Sequence, residues 1–476
     1  MPFHSHATLL AFNRYPKKPG RNAFMKIAVI GTGVVGLTTG AGFADLGHSV
    51  LCVDIDAAKI AQLSKGLVPY YEPGLQELVT RNLDAGRLQF GGAPSHALRD
   101  AELLFVAVGT PTDDHGEMSL ASLWSVIDRL EPWTGDSVKM IAIKSTVPVG
   151  TADRVEARLR SRLPEECLVD VASVPEFMRE GSAVRDFFDP SRIVIGVASP
   201  ETGARLELLH RRLPGGIIVT DRRSSELAKL ASNAFLAVKI SYANEMAALA
   251  EQTGADYPSV AKIMGHDPRI GPLFLNAGLG FGGSCLPKDT RALVRLADEA
   301  GAPQTLVAAA VRANVMLPLR TVRKLEAALS DPGRRKVALL GLAFKPGTDD
   351  MREAPSLRLA AELLRRNPGV RLTAYDPAAG EAARKLLPGA VKICATAEEA
   401  LTGADAAIIV TEWREFRLFQ AEDFKKWMNR PIIIDGRNSL DSEALNAQGV
   451  VCIGAGRLPA IPVEQIRLPG ELLPKS

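Results

Sequence analysis

The chain has 476 residues, 46% of them hydrophobic, with a formal net charge of +3. That length exceeds what one core organises, so two or three domains are expected. Lysines and arginines are interspersed with acids, which gives neither a nucleic-acid footprint nor a membrane-binding stripe and points to small-molecule partners.

No apolar run approaches the roughly 18 residues of a transmembrane helix, so no membrane span is expected. Five cysteines, Cys52, Cys167, Cys285, Cys394 and Cys452, are scattered without CxxC or Cys/His spacing. This argues against a disulfide framework and against a metal site, and a reducing cytoplasm fits best.

In chain order, residues 1–24 are basic and loop-like and precede a second methionine, Met25. They are expected to be a disordered extension outside the fold. Pro16 and Pro19, a single serine and the lack of an amphipathic helix favour an upstream start or appended sequence over a transit peptide. From Met25, "KIAVIG", "VLCVD", "LLFVAVGT", "KMIAIKST", "VDVAS" and "RIVIGV" read as strands alternating with helical stretches, a parallel, doubly wound α/β pattern. A helical tract follows over Ser224 to Thr253 and stops at Gly254, long enough to bridge domains. After the linker Asp331–Lys336, "KVALLGLAF", "RLTAYDP", "DAAIIVTEW" and "PIIIDGR" restart the alternation. Both halves open with a strand running into glycine, Gly31 and Gly341, and both carry a later strand ending in aspartate, Asp54 and Asp376.

"IAVIGTGVVG" sets Gly31, Gly33 and Gly36 in G-x-G-x-x-G spacing between a strand and a helix. The next strand ends at Asp54, the distance at which a carboxylate accepts both ribose hydroxyls of a dinucleotide. Gly31 allows the tight turn, Gly33 lets backbone approach a pyrophosphate, and Gly36 lets helix and strand pack. An aspartate there repels a 2′-phosphate, so NAD is expected over NADP. The alternative is a glycine-rich turn that binds nothing.

"FGGSCLPKD" places Cys285 in a glycine loop before a helix expected to begin at Asp289 or Thr290. A helix N-terminus and Lys288 both favour a thiolate; a structural turn thiol remains the competing reading. Asp289 reads equally as an N-cap or as part of the chemistry. Lys229 and Asn233, four apart, share one helix face. They form either a solvated stripe or an oxyanion clamp. None of the seven histidines lies in a glycine-rich motif or an Asp/His arrangement, which disfavours a histidine-based hydroxy-acid dehydrogenase.

Taken in order, "GTGVVG", "VGTPT", "KSTVPVGT", "SVPEFMREGSAVRDFFDPSRIVIG", "ELAKLASNAF", "RIGPLFLNAGLGFGGSCLPKD", "GLAFKPGTDDMREAPS" and "DGRN" resemble the nucleotide-sugar 6-dehydrogenases of the UDP-glucose/GDP-mannose family. The resemblance runs from Met25 to about Leu458 and favours the UDP-glucose branch. It implies a four-electron oxidation of a sugar C6 alcohol to a carboxylate, UDP-glucose to UDP-glucuronate, by two NAD molecules through a cysteine thiohemiacetal and thioester. It implies two Rossmann-like doubly wound domains joined by a long central helix: 25–220 binding NAD, 221–330 carrying the dimer core and the cysteine loop, and 331–476 binding the nucleotide sugar.

As catalytic residues the resemblance implies Cys285, Lys229, Asn233, Asp289, Glu176 and Thr146. For the cofactor it adds Val34, Val35, Lys59, Thr110, Thr146, Glu180, Lys288 and Arg352 to the glycines and Asp54. For the substrate it implies Glu176, Phe177, Met178, Arg179, Glu180, Lys229, Asn233, Phe274, Leu275, Asn276, Gly278, Gly282, Cys285, Phe344, Lys345 and Arg437, with Arg269 donated across a subunit boundary. A homodimer, with larger assembly open, follows from the same likeness. A GDP-mannose 6-dehydrogenase and a non-catalytic NAD-binding scaffold are the alternatives. Departures are few: Val34 stands where many relatives carry an aromatic, and Pro287 is a common bacterial variant.

Overall fold

The structure is a computed structural model that describes residues 24–92, 100–113, 115–132, 139–329 and 334–457. The N-terminal extension other than Phe24, and the start of the Asp331–Lys336 linker, lie outside the described residues. The chain divides into two compact units, one of Met1–Asp113 with Met118–Leu230, the other of Asp114–Glu117 with Ala231–Ser476.

The first unit is built on eight strands: β1 (Lys26–Ile30), β2 (Ser49–Val53), β3 (Leu88–Gly91), β4 (Leu103–Val106), β5 (Lys139–Ile143), β6 (Val169–Ser173), β7 (Arg192–Gly196) and β8 (Gly216–Thr220). Their order is β3-β2-β1-β4-β5-β6-β7-β8. The first six strands repeat the order of dinucleotide-binding sheets, with the topological switch between β1 and β4. β4 and β5 are buried along their whole length, as strands covered on both faces must be. The expectation of an all-parallel sheet fails at one place: β7 meets β6 antiparallel, through Ser173 and Gly196. Beneath the sheet, Phe43 stacks on Phe105 at 5.4 Å and meets Phe187 edge-on at 5.2 Å.

The second unit carries β9 (Lys336–Leu340), β10 (Arg371–Tyr375), β11 (Val391–Ile393), β12 (Ala406–Ile409), β13 (Ile432–Asp435) and β14 (Val451–Gly454), all parallel. The order β11-β10-β9-β12-β13-β14 is the first unit's six-strand order over again. The likeness read from the two glycine–aspartate patterns therefore extends to topology.

The long helix runs Arg222–Thr253, two residues earlier than expected, and ends where Gly254 turns left-handed at φ +78°. Helix Thr305–Ala328 is long and apolar enough to cross a membrane by length and composition alone, which the sequence reading did not anticipate. It buries Val307, Leu317, Val322 and Leu325, so it also fits a core helix.

Four strands escaped the sequence reading: β3, β8, β11 and β14. They are the two edges of each sheet. An edge strand is covered on fewer sides: β8 has no buried residue and leaves Ile218 and Val219 open, and β3 and β11 are interrupted by the exposed Gln89 and Lys392, whereas β14 is short but mostly buried.

Candidate functional site

In the first unit the glycine motif does what its spacing requires. Gly31 adopts φ +97°, and a Cβ there would stand 2.4 Å from the Ala107 carbonyl oxygen; at Gly36 it would stand 1.9 Å from the Gly31 oxygen. A Cβ at Gly33 would meet nothing within 4 Å. Gly33 is the N-cap of helix Val34–Asp45 and supplies no side-chain cap, while Val34 and Val35 form its half-buried first turn. Open space over a glycine at a helix N-terminus suits a pyrophosphate.

Asp54 follows the end of β2. Its Oδ2 accepts from Thr32 N at 2.8 Å, Thr32 Oγ1 at 2.7 Å and Lys59 Nζ at 3.1 Å, and Oδ1 accepts from Asp56 N at 3.1 Å. Burial works to raise its pKa, but the Thr32, Asp56 and Lys59 donors overcome that and hold it at about 2. With the folded value below the unfolded one, this group's stabilisation is complete above the ordinary carboxylate range and fades as pH falls toward about 2. Thr32 was not singled out from the sequence, although its place inside the glycine turn was the available signal.

The equivalent aspartate of the second unit behaves differently. Asp376 accepts from the backbone of Leu342, Ala343, Ala378 and Ala379 and from Trp413 Nε1, all within 3.1 Å. Both oxygens of Asp376 thus accept at least two donors, whereas Asp54 Oδ1 accepts one, which leaves Asp54 the better suited of the two to read a ribose. The glycine loop, its helix and Asp54 fit NAD. Asp54→Ala is expected to weaken NAD binding by about tenfold or more, the worth of a charge-assisted hydrogen bond, and to narrow the NAD/NADP preference. Titration calorimetry with both dinucleotides measures this, and an unchanged ratio counts against the assignment.

Also in the first unit, Glu176 and Lys229 form a buried ion pair: Nζ to Oε1 is 2.9 Å, with side-chain exposures of 6% and 4%. Glu176 Oε2 accepts from Met178 N at 2.5 Å. The Phe177 ring lies 3.8 Å below the Arg192 guanidinium and 5.3 Å from Lys229 Nζ. Lys229 is therefore no solvated stripe. Arg179 is committed to Asp186, donating from its backbone, Nε and NH2. Glu180 is half-buried beside it. Thr110 Oγ1 donates to the Thr146 carbonyl at 2.7 Å, and Thr146 is half-buried.

In the second unit, helix Leu286–Glu299 begins three to four residues before the expected start, with Cys285 as its N-cap. The reading of Asp289 as the N-cap is thereby corrected. Asp289 sits within the first turn, fully buried; its backbone N–H donates to the Cys285 carbonyl at 2.9 Å. Its carboxylate takes Asn233 Nδ2 at 2.6 Å and Lys288 Nζ at 2.5 Å. Cysteine is not a preferred cap, which hid the start; Pro287 at the second helical position was the signal that marked it. Cys285 is half-buried, whereas the other four cysteines are buried. Burial pushes the Cys52 and Cys452 thiols up to about 12.

The loop before Cys285 is held by its neighbours. Asn314 clamps Phe281, accepting from its N–H and donating to its carbonyl, both at 2.9 Å. A Cβ at Gly282 would stand 2.3 Å from the Glu353 oxygen, and one at Gly283, φ +86°, would stand 2.6 Å from the Phe344 ring. Arg437 donates to the carbonyls of Val410, Gly280 and Phe344 and thus ties three segments together. Lys345 Nζ stands 5.5 Å from the Phe344 ring centre. Gly278 N donates to Asn244, Tyr257 OH donates to the Leu275 carbonyl, and Asn276 is exposed. Arg352 pairs with Asp350, and Arg269, 87% exposed, pairs with Asp267.

Positive φ at non-glycine residues occurs, among the described residues, at Phe274, Glu353 and Asn438. Each lies in one of the motifs "FLNAG", "DDMREAP" and "DGRN". Such conformations persist where surrounding structure over-determines them, commonly around functional sites.

Comparison with known proteins decides what this arrangement is part of. Residues 25–214 match the NAD binding domain of the UDP-glucose/GDP-mannose dehydrogenase family, 223–315 its central domain and 338–442 its UDP binding domain. The chain belongs to that family. A UDP-glucose 6-dehydrogenase of Bacillus subtilis is 43% identical over 438 residues, 92% of this chain and 99% of the relative. One from Pseudomonas aeruginosa is 43% identical over 91% of this chain and 98% of its own length. The solved UDP-glucose dehydrogenase of Pyrobaculum islandicum shares 34% identity, covers 92% of this chain and 99% of its own, and superposes with a TM-score of 0.83. As a member of the UDP-glucose/GDP-mannose dehydrogenase family, the chain is an NAD-dependent oxidoreductase with a nucleotide-sugar-binding domain.

Proposed function

We propose that this chain oxidises UDP-glucose to UDP-glucuronate, with Cys285 holding the sugar covalently between two hydride removals. The observation that carries the reading is Cys285 itself, the one cysteine of five that is not buried, standing at a helix N-terminus in a tightly held loop. Relatives named UDP-glucose 6-dehydrogenases, at 43% identity over nearly the whole chain, support the substrate.

NAD, when bound, accepts the hydride in each oxidation. Loss of hydride and a hydroxyl proton from C6 leaves an aldehyde. The Cys285 sulfur adds to that carbon and its proton is released. Loss of the second hydride from C6 turns the thiohemiacetal into a thioester, and water then forms a C–O bond as the C–S bond breaks, returning the thiol and a carboxylate. The overall balance is one alcohol, one water and two NAD giving one carboxylate, two NADH and three protons.

Lys229 and Asn233, one helical turn apart, are the groups that stabilise the C6 oxyanions. The Asn233 amide is oriented for this by its bond to Asp289. Glu176 serves as general acid/base, and Thr146 positions water. Phe177, Met178, Phe274, Leu275, Asn276, Gly278, Gly282, Phe344 and Lys345 take the nucleotide sugar, with Lys345 answering the diphosphate. Arg437 contributes by fixing the loops around it. Lys288, Arg352 and Glu180 complete the cofactor contacts.

The reading includes a homodimer. On the long helix Phe235, Tyr242 and Leu249 are 65%, 46% and 53% exposed and recur every seven residues, which puts them on one stripe. Among the described residues Arg269 pairs with nearby Asp267 and is 87% exposed, which suits a residue that serves the partner subunit. Five cysteines with no disulfide among the described residues accord with the cytoplasm.

Initial rates of NADH formation with UDP-glucose, GDP-mannose and UDP-N-acetyl sugars test the assignment. UDP-glucose is expected to lead by roughly a hundredfold or more. Turnover of GDP-mannose alone contradicts the assigned base, and turnover of no sugar overturns the enzyme reading.

A further inference from the structure

Lys144 follows the end of β5 and matches none of the roles above. It is 8% exposed. Its ammonium stands 5.7 Å from the Phe105 ring centre, and no hydrogen bond or ion pair of it is found among the described residues. It lines one small pocket together with Glu176, Phe177, Asp186, Arg192 and His210. A lysine this buried normally has a carboxylate of its own.

The other charges at this place are accounted for. Asp186 is taken by Arg179. Arg192 lies on Phe177. Burial pushes the His210 pKa down to about 4, so its ring, bonded through Nδ1 to the Leu206 carbonyl, is neutral at working pH; His48, which also bears on it, is lowered by burial too. Glu176 is the carboxylate that remains, and it already carries Lys229.

We infer that Lys144 is a positioning residue for Glu176, a second counter-ion that keeps this buried carboxylate charged and in place when Lys229 turns to the substrate oxygen. The need for it rests on the proposed function, in which Lys229 leaves the ion pair in each cycle; a buried carboxylate stripped of its only cation would take up a proton instead. Burial lowers the Lys144 pKa to about 8, with Glu176 opposing that shift and Lys229 adding to it, so Lys144 is coupled to both members of the pair.

Two experiments test it, one of which needs no substrate. In a stability cycle, Lys144→Met and Lys229→Met each lower the melting temperature, and the double variant is expected to lose more than the sum, because it leaves Glu176 without either lysine. Introducing Glu176→Gln is expected to remove that excess. Additive losses overturn the inference. A double variant that fails to fold supports it if Glu176→Gln restores folding, and overturns it if folding stays lost.

The second experiment follows UDP-glucose turnover against pH. Lys144→Met is expected to move the acidic limb of kcat up by about one pH unit, since removing a cation makes carboxylate ionisation harder. It should lower kcat more than it raises KM and leave the NAD dissociation constant unchanged, while Lys144→Arg keeps the wild-type limb. A superimposable profile for Lys144→Met, or an equal shift for Lys144→Arg, overturns the inference. A wild-type enzyme inactive on UDP-glucose refutes the functional reading alone, and the stability cycle then decides whether Lys144 balances Glu176.

Discussion

Cys285→Ser is expected to lower complete oxidation by roughly three orders of magnitude or more, the scale on which enzymes lose rate when a nucleophile is removed. A serine hydroxyl is scarcely ionised near neutral pH, and its alkoxide is a poor leaving group when water attacks the acyl intermediate. The variant isolates chemistry from structure unusually well. Cys285 is the N-cap of helix Leu286–Glu299, and serine is among the preferred residues at that position. The helix start, with the Asp289 N–H bonded to the residue 285 carbonyl, is therefore retained. Melting temperature and NAD affinity should match the wild type while NADH production collapses. Full turnover would remove the thiol from the mechanism.

Lys229→Met should act on both stability and rate. Its ammonium is the counter-ion of a carboxylate that is 6% exposed, and breaking a buried pair from one side leaves an uncompensated charge. The expected cost is about 3 kcal/mol, the lower end for such pairs because Lys144 lines the same pocket as Glu176. Turnover should fall by about a hundredfold to a thousandfold with the loss of an oxyanion donor. Adding Glu176→Gln separates the effects: melting should recover most of the loss, because no charge is stranded, and activity should not. Recovery of activity with stability would reduce Lys229 to a structural ion-pair partner.

The sequence carried some parts of this site well and others poorly, for identifiable reasons. Gly31, Gly33, Gly36 and Asp54 were legible because the constraint is local: a turn, a close approach and a strand end at fixed spacing. Cys285 was legible as the odd cysteine out, since Cys52 and Cys452 lie in apolar strands and Cys167 and Cys394 border others, all four of them buried. Asp289 was left between a cap and a part in the chemistry, and the cap reading failed because the helix start is set by an untypical capping residue, Cys285. The contrast between Asp54 and Asp376 was invisible. Both follow the second strand of the same topology, and only three-dimensional donors distinguish a carboxylate with one singly bonded oxygen from one whose two oxygens are both multiply bonded by backbone and Trp413.

Lys144 and Asn314 were missed for the same reason. A lysine in "IAIKST" and an asparagine on an apolar helix give no periodic signal; Glu176, which shares a pocket with Lys144, and Phe281, which bonds to Asn314, are distant in the chain. Among the missed edge strands, β3 and β11 are short and broken by a polar residue and β8 has no buried residue, while β14 is buried but only four residues long.

The central claim is a double oxidation completed on one thiol, and the stoichiometry of the reaction reports it most directly. With UDP-glucose limiting and NAD in excess, the absorbance of NADH at completion should correspond to two NADH per UDP-glucose consumed, with UDP-glucuronate as the product. One NADH per sugar, with an aldehyde accumulating, would contradict the account.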